Sequence, residues 1–253
     1  MAQRLEILYR DEHVAAVNKP ANLASIPGRG ETSSVVEELA AQLGLPCSGE
    51  VDPRVRVVHR LDKDTSGVLL FALNIEAQRQ LSQQFQNNLA QKQYLALVIG
   101  RPESESGEID APIAPDRKHV GLMMIHKRGK PARTEYRVEE TFRGLTLLRV
   151  FPKTGKTHQI RVHLRHIGHP LVVDPLYGPP AEGELALGLY LSKYKRGYQL
   201  GKFENERPLM ARLSLHAEQL SVELPGVGRK DLVAEMPKDF RATLNMLRKY
   251  ARG

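Results

Sequence analysis

In the stretch HRLDKDTSGVLLFA, residues 59–72, the carboxylate of Asp62, with Asp64 two residues on, stands between an arginine and a Thr-Ser-Gly turn, with an unbroken apolar run behind it. An aspartate there has two uses. It can serve the turn, because its side chain hydrogen-bonds nearby backbone amides. It can also stay ionised and act as a nucleophile or electrostatic stabiliser, provided that a cation lowers its pKa. The stretch THQIRVHLRHI, residues 157–167, offers such cations. At helical spacing His158, Arg161 and Arg165 fall on one face, and Ile160, Leu164 and Ile167 form an apolar stripe on another. Arg161 alone reads equally as a structural ion pair or a phosphate contact. His158, His163, His166 and His169 are the best case for a metal, but Gly168 and Pro170 should end the helix before His169 joins the others, so no metal site is expected. The chain has no GxxxxGK[ST] and no GxGxxG after a strand, so nucleotide and nicotinamide are not expected as cofactors.

These residues need elements to hold them. Strands are predicted at LEILY (5–9) and at 14–17. Ser34 and Glu37 form a capping box that opens the helix VVEELAAQL, closed by Gly44. VRVV (55–58) and GVLLFAL (67–73) read as buried strands, which puts Asp62 on the loop between them. Asn74 caps a helix carrying Ala77, Leu81 and Phe85 at helical spacing. QYLALVI (93–99) is apolar on both faces and reads as a central strand. TEYRVEET (134–141) and GLTLLRVF (144–151) pair around Arg143-Gly144, strands follow at RLSLHA and QLSVEL, and a last helix follows Pro237 with Phe240, Leu244 and Leu247 on one face. Strands and helices mix without strict βαβ alternation. The fold class predicted is therefore α+β, with a mixed, largely antiparallel sheet flanked by helices and loops. One domain over 1–253 is expected, with 179–208 as a surface insertion.

The 253 residues are 41% hydrophobic and 26% charged, enough for one large core or two modest ones. The single cysteine, Cys47, cannot make an internal disulfide, and no stretch has the length and apolarity of a membrane span. A soluble chain in a reducing cytoplasm is the expectation. The net charge is +8, and its distribution is uneven. From Arg149 to Val173 there is no acid among five basic residues, and from Arg117 to Arg137 seven basic residues face only Glu135. The stretch 190–203 interleaves Lys and Arg with aromatic rings. Three such runs favour a polyanionic partner, and tyrosines among cations suit the unstacked bases of RNA.

Several stretches together resemble the RluA family of pseudouridine synthases. His59-Arg60-Leu61-Asp62-Lys63-Asp64-Thr65-Ser66-Gly67 is similar to that family's H-R-L-D-x-x-T-S-G signature. Asn18-Lys19-Pro20 resembles its NKP element, with Asn22 where a Gly is usual. Lys92-Gln93-Tyr94-Leu95-Ala96 resembles its K-x-Y-x-A strand. Residues 154–163, TGKTHQIRVH, resemble its T-G-R-T-H-Q-I-R-V-H element, with Lys156 for the usual Arg. Gly168-His169-Pro170, Asp174-Pro175-Leu176-Tyr177-Gly178 and Arg212-Leu213-Ser214-Leu215-His216-Ala217 extend the pattern in order along nearly the whole chain.

The resemblance implies a pseudouridine synthase catalytic fold and a cofactor-free isomerisation of uridine in structured rRNA or tRNA, with the target base flipped from its stack. By motif position, Asp62 is the catalytic aspartate and Tyr94 the tyrosine that stacks on the uracil. Arg161 is the arginine paired with the aspartate, and Arg60 fills the gap left by the flipped base. His59, Thr65, Lys156 and His158 are the further substrate-binding candidates. The partner expected is RNA, with no DNA and no membrane, bound by a monomer without a separate N-terminal RNA-binding domain. Two alternatives stand beside this one: a non-catalytic RNA-binding module on the same fold, and a metal-dependent RNA hydrolase using the histidine cluster.

Overall fold

The computed structural model describes residues 4–28, 32–178, 188–198 and 206–252. Of the expected insertion 179–208, residues 179–187 and 199–205 lie outside the described residues. Contacts within the chain separate two compact units, one running to Tyr94 and including His216–Glu235, the other comprising Leu95–Leu215 with the segment from Met236 onward.

In the first unit, β2 (Val14–Lys19) runs antiparallel to both β1 (Glu6–Arg10) and β4 (Ser66–Ala72), and the two-residue β3 (Arg56–Val57) lies on β4. β4 is buried at every position, which explains why its sequence is an apolar run rather than an alternation. Its other partner is β11 (Leu215–Leu224), parallel through His216↔Ser66 and Ala217↔Gly67, and β12 (Gly228–Val233) closes back on β11. Helix α1 (Val35–Leu43) starts at the expected cap: the Ser34 hydroxyl accepts from Glu37 N and donates to the Glu37 carboxylate at 2.6 Å. Gly44 ends it in the left-handed region that glycine enters without a Cβ penalty. Helix α2 (Ile75–Gln86) is capped by Asn74 and buries Ala77 and Leu81. One core packs Val35, Leu39, Leu69 and Phe71; a second packs Leu70, Leu81 and Val222.

The second unit carries the long antiparallel pair β9 (Arg133–Phe142) and β10 (Leu145–Pro152), turning at Arg143-Gly144, with β6 (Ser106–Asp110) on β9. β10 neighbours β5 (Gln91–Ile99). A small hairpin, β7 (Ile113–Pro115) and β8 (Met123–Ile125), stands apart from that sheet. Helix α3 (Gln159–His166) and the C-terminal α4 (Lys238–Tyr250) complete the unit, with Phe240, Leu244 and Leu247 of α4 buried against Leu97 and Leu147.

The α+β class and the largely antiparallel pairing are as expected, and β4 with β11 is a parallel pair. Three details differ. RLSLHA and QLSVEL are not two strands, because from Leu215 one strand runs through Glu218 without a break. β7 and β8 are three residues long, and β6 and β12 carry too few apolar residues, so none of the four stands out as a period. Finally, α3 does not sort into an apolar stripe and a charged face. Gln159 to Leu164 are all buried, Arg161 and His163 among them, so burial surrounds the first turns.

Candidate active site

In the first unit Asp62 sits half-buried on the loop that enters β4. Both of its chain neighbours are fixed. The Ser25 hydroxyl donates to the Leu61 carbonyl at 2.7 Å and accepts the Leu61 N–H at 3.1 Å. The Lys19 ammonium, fully buried, donates to the carbonyls of Lys63 and Leu23 at 2.6 Å and of Pro20 at 2.9 Å. A buried ammonium needs such acceptors, because its desolvation would otherwise be costly. The turn bearing Leu23 depends on Asn22 at φ 65. Asparagine tolerates this left-handed conformation better than any residue except glycine, so it can replace the usual Gly.

The rest of the signature also serves the loop. Thr65, buried, donates its N–H to the Asp62 carbonyl at 3.1 Å, closing the turn over Lys63-Asp64. Ser66 Oγ lies 2.9 Å from His216 Nδ1, and Gly67 has φ +119 with no room for a Cβ beside Ala217. His59 stacks on Phe85 with ring centroids 4.4 Å apart, and its Nε2 accepts the Leu70 N–H at 3.0 Å. Burial above all, reinforced by the Lys92 ammonium, depresses its pKa to about 3, so the ring is neutral. Arg60 is exposed.

Tyr94 is half-buried and packs on the core that includes Leu61 and Ala217. Burial first, and then the negative charge of Asp62, pushes its phenol well above the usual tyrosine range. The Tyr94 hydroxyl therefore stays protonated next to an aspartate, a pairing that suits one acid and one neutral stacking ring.

The second unit holds Lys156, His158 and Arg161. Gln159, buried, organises the loop before α3: its Oε1 accepts from Thr154 Oγ1 at 2.7 Å and from Lys156 N at 2.9 Å, and its Nε2 donates to Arg133 O and Thr134 Oγ1. His158 precedes the helix at φ 54 and places Nδ1 2.7 Å from the Tyr177 hydroxyl. Arg161 makes a two-pronged bond to Asp174, Nε to Oδ2 at 2.8 Å and Nη2 to Oδ1 at 2.7 Å, with the guanidinium 5.0 Å from the Tyr177 ring centroid. The Tyr177 hydroxyl also accepts the Met123 N–H at 2.7 Å.

The structure therefore brings together His59, Arg60, Asp62, Thr65 and Tyr94 in one unit and Lys156, His158 and Arg161 in the other. Among the described residues no group of three or more His, Cys, Asp or Glu is placed to hold a metal ion. The ring nitrogens of His163 lie 2.9 Å from Thr134 Oγ1 and Ala111 O, and His169 Nδ1 lies 2.9 Å from Ile99 O. Sequence reasoning assigned no role to Ser25, Lys19, Gln159, Asp174 or Tyr177. Lys19, Gln159, Asp174 and Tyr177 lie inside quoted motifs, which was the available signal; nothing in the sequence points to Ser25.

The chain matches a family model described as RNA pseudouridylate synthase over residues 13–166. Ribosomal large subunit pseudouridine synthase D of Nitrosomonas europaea is 39% identical over 249 residues, 96% of this chain and 65% of that protein. An uncharacterized RNA pseudouridine synthase of Chloroflexus aurantiacus is 40% identical over 92% of this chain and 66% of its own length. The chain thus spans just under two thirds of these two relatives. The Pseudomonas aeruginosa protein named ribosomal large subunit pseudouridine synthase D is 39% identical over 96% of this chain and 72% of its own length. Among solved structures, human RNA pseudouridylate synthase domain containing 4 superposes with a TM-score of 0.69 at 26% identity, covering 96% of this chain and 93% of that one. Human RNA pseudouridylate synthase domain containing 1 gives 0.70 at 25% identity, over 94% and 85%.

Proposed function

The chain belongs to the RNA pseudouridylate synthase family, and we propose that it isomerises uridine to pseudouridine in structured RNA. Large-subunit ribosomal RNA is the substrate that the names of its relatives favour, and the cytoplasm is the matching compartment. The observation that carries the reading is the fixing of Asp62. An acid whose two chain neighbours are tied down by Ser25 and Lys19, beside a tyrosine kept neutral, is pre-organised for one attack geometry.

In this reaction the target nucleotide leaves its stack, at a cost of a few kcal/mol. Arg60, exposed on the same loop, takes the vacated space. The N1–C1′ bond breaks, the uracil turns, and a C5–C1′ bond forms; the C5 proton leaves and N1 gains one, so atoms and charge balance. Asp62 stabilises or captures the electron-deficient fragment, Tyr94 stacks on the uracil and assists loss of the C5 proton, and Arg161 is the arginine that the family's motif assigns to the same reaction. His59 and Thr65 support the loop, while Lys156 and His158 hold the substrate backbone. The Arg161 role rests on its motif position; the Asp174 fork supports it by fixing the guanidinium.

The test is tritium release from C5-labelled uridine in unmodified transcripts of ribosomal and transfer RNA. Wild type should release tritium, and Asp62→Asn should release none while still binding RNA. Wild-type binding without release would favour the non-catalytic module instead.

A further inference from the structure

Three basic runs stand out in the sequence, and the structure separates them by what their charges touch. In the run from Arg149 to Val173, Arg149 is bonded to Glu139, Lys153 to Glu135 and Arg161 to Asp174, while Lys156 and Arg165 make no side-chain bond among the described residues. In the run at 190–203, part of which lies outside the described residues, Lys195 rests over the rings of Tyr198 and Tyr250. In the third run Arg133 pairs with Glu108 and Arg137 with Glu139, but its first five cations behave differently. Arg117, Lys118, Lys127, Arg128 and Lys130 are all exposed, and among the described residues none of their side chains has a hydrogen bond, an ion pair or a ring contact. They sit on the two turns of one small element, the β7–β8 hairpin and the turn that follows it. Like charges that share a turn repel one another, two on the first turn and three on the second.

The hairpin is also pre-ordered. The Asp116 carboxylate accepts the N–H groups of Lys118 at 2.8 Å and His119 at 3.4 Å and lies 2.9 Å from His119 Nδ1, which fixes the first turn. Val120 at its tip is 99% exposed, so this end stands clear of the fold. In the second turn Gly129 N donates to His126 O, and Lys130 exchanges both backbone hydrogen bonds with Ile113. A Cβ on Gly129 would come within 2.6 Å of the Ile113 carbonyl carbon, so the turn lies directly on β7. Beneath, Met123 and Ile125 pack with Val162 and Tyr177. Cations on a rigid support lose less entropy when they meet a partner.

Resting on the reading that the substrate is structured RNA, we propose that this hairpin is an RNA-binding arm. Arg117 and Lys118 on one turn, with Lys127, Arg128 and Lys130 on the other, contact backbone phosphates of the substrate outside the flipped nucleotide. Phosphates are the partner because all five side chains are full positive charges on exposed turns, and because each phosphate neutralised releases a counterion.

The experiment measures equilibrium binding of unmodified ribosomal RNA transcript against salt concentration. It compares wild type, a variant with all five positions changed to Gln, and a variant exchanging Arg for Lys and Lys for Arg at the same positions. The Gln variant should lower the slope of log K against log salt by about 4 and weaken binding at 0.1 M salt on the order of 100-fold or more. The charge-preserving variant should keep the wild-type slope. All five positions are exposed, and thermal melts monitored by circular dichroism check that each variant folds. An RNA slope unchanged in the Gln variant overturns the proposal, whatever that variant loses on an acidic polypeptide such as polyglutamate. Pseudouridine formation is scored separately. A wild type that shows the slope difference but forms no pseudouridine supports the arm and removes the isomerase reading. A wild type that forms pseudouridine without the slope difference does the reverse.

Discussion

Ser25 holds both backbone polar groups of Leu61, 36 residues away in sequence, with one hydroxyl. Both residues are buried, so neither group can turn to water instead. The next residue is Asp62, and this pin anchors the backbone of the loop that carries it.

Ser25→Ala should therefore lower stability by about 1–3 kcal/mol, the cost of leaving a buried backbone group unmade. It should also lower kcat more than RNA affinity, because a loosened Asp62 loses its attack geometry. Ser25→Thr, which keeps the hydroxyl, should restore both. Denaturant midpoints and single-turnover tritium release check this; a Ser25→Ala protein with lowered stability and wild-type kcat would reduce the pin to a structural one.

Gly67→Ala should be far more damaging. The added Cβ would lie 2.0 Å from the Ala217 carbonyl oxygen, at a φ of +119 that L-residues rarely adopt. The parallel β4–β11 ladder would have to part, and with it the Ser66–His216 contact. We expect a loss above about 3 kcal/mol and little soluble protein. A soluble Gly67→Ala protein with a wild-type urea midpoint would contradict this.

Arg161 and Asp174 are both buried, and the Asp174 Oδ1 also accepts the N–H groups of Leu176 and Tyr177. Asp174→Asn removes the negative charge from a buried pair, which costs about 3–5 kcal/mol. Replacing both partners, as in Arg161→Met with Asp174→Leu, should recover part of that stability, because paired burial is itself costly. The double variant should still form no pseudouridine if Arg161 acts in the reaction. Denaturant titration and tritium release on the two proteins decide it, and turnover by the double variant would remove Arg161 from the catalytic set.

The contrast between what was legible and what was not follows the range of the interaction. Ser34, Gly44 and Asn74 announce helix ends within four residues of the groups they cap, and the apolar run of β4 announces a strand buried on both faces. The signature around Asp62 marks where the acid sits. The grip of Ser25 on Leu61 and of Lys19 on Lys63 spans 36 and 44 residues, and no local pattern encodes such pairings. For α3 the helical period was read correctly, but period alone assumes that one face meets water. The Asp174 fork and the contacts of His163 with Thr134 and Ala111 bury the polar side as well. The five cations of the β7–β8 hairpin are visible as part of a basic run; that their side chains make no bond among the described residues required the fold.

His59 supplies a pH test with a definite sign. Its folded pKa, about 3, lies below the ordinary 6.5 because burial disfavours the charged ring and the Lys92 ammonium adds to that. In the unfolded chain the ring binds a proton as the pH falls below about 6.5, while the folded ring does not. The contribution of the neutral ring is fully present above pH 6.5 and is lost as pH falls toward 3. Between pH 7.5 and 4.5 wild type should lose on the order of 2 kcal/mol through this group. His59→Gln retains an acceptor side chain but has nothing to protonate, so its stability should change less over the same interval. Urea titrations of both proteins at the two pH values measure the difference. Equal losses would mean that the unfolded chain's protonation of His59 is matched in the fold. The ring would then be reachable by solvent protons despite its stack on Phe85 and its bond from the Leu70 amide.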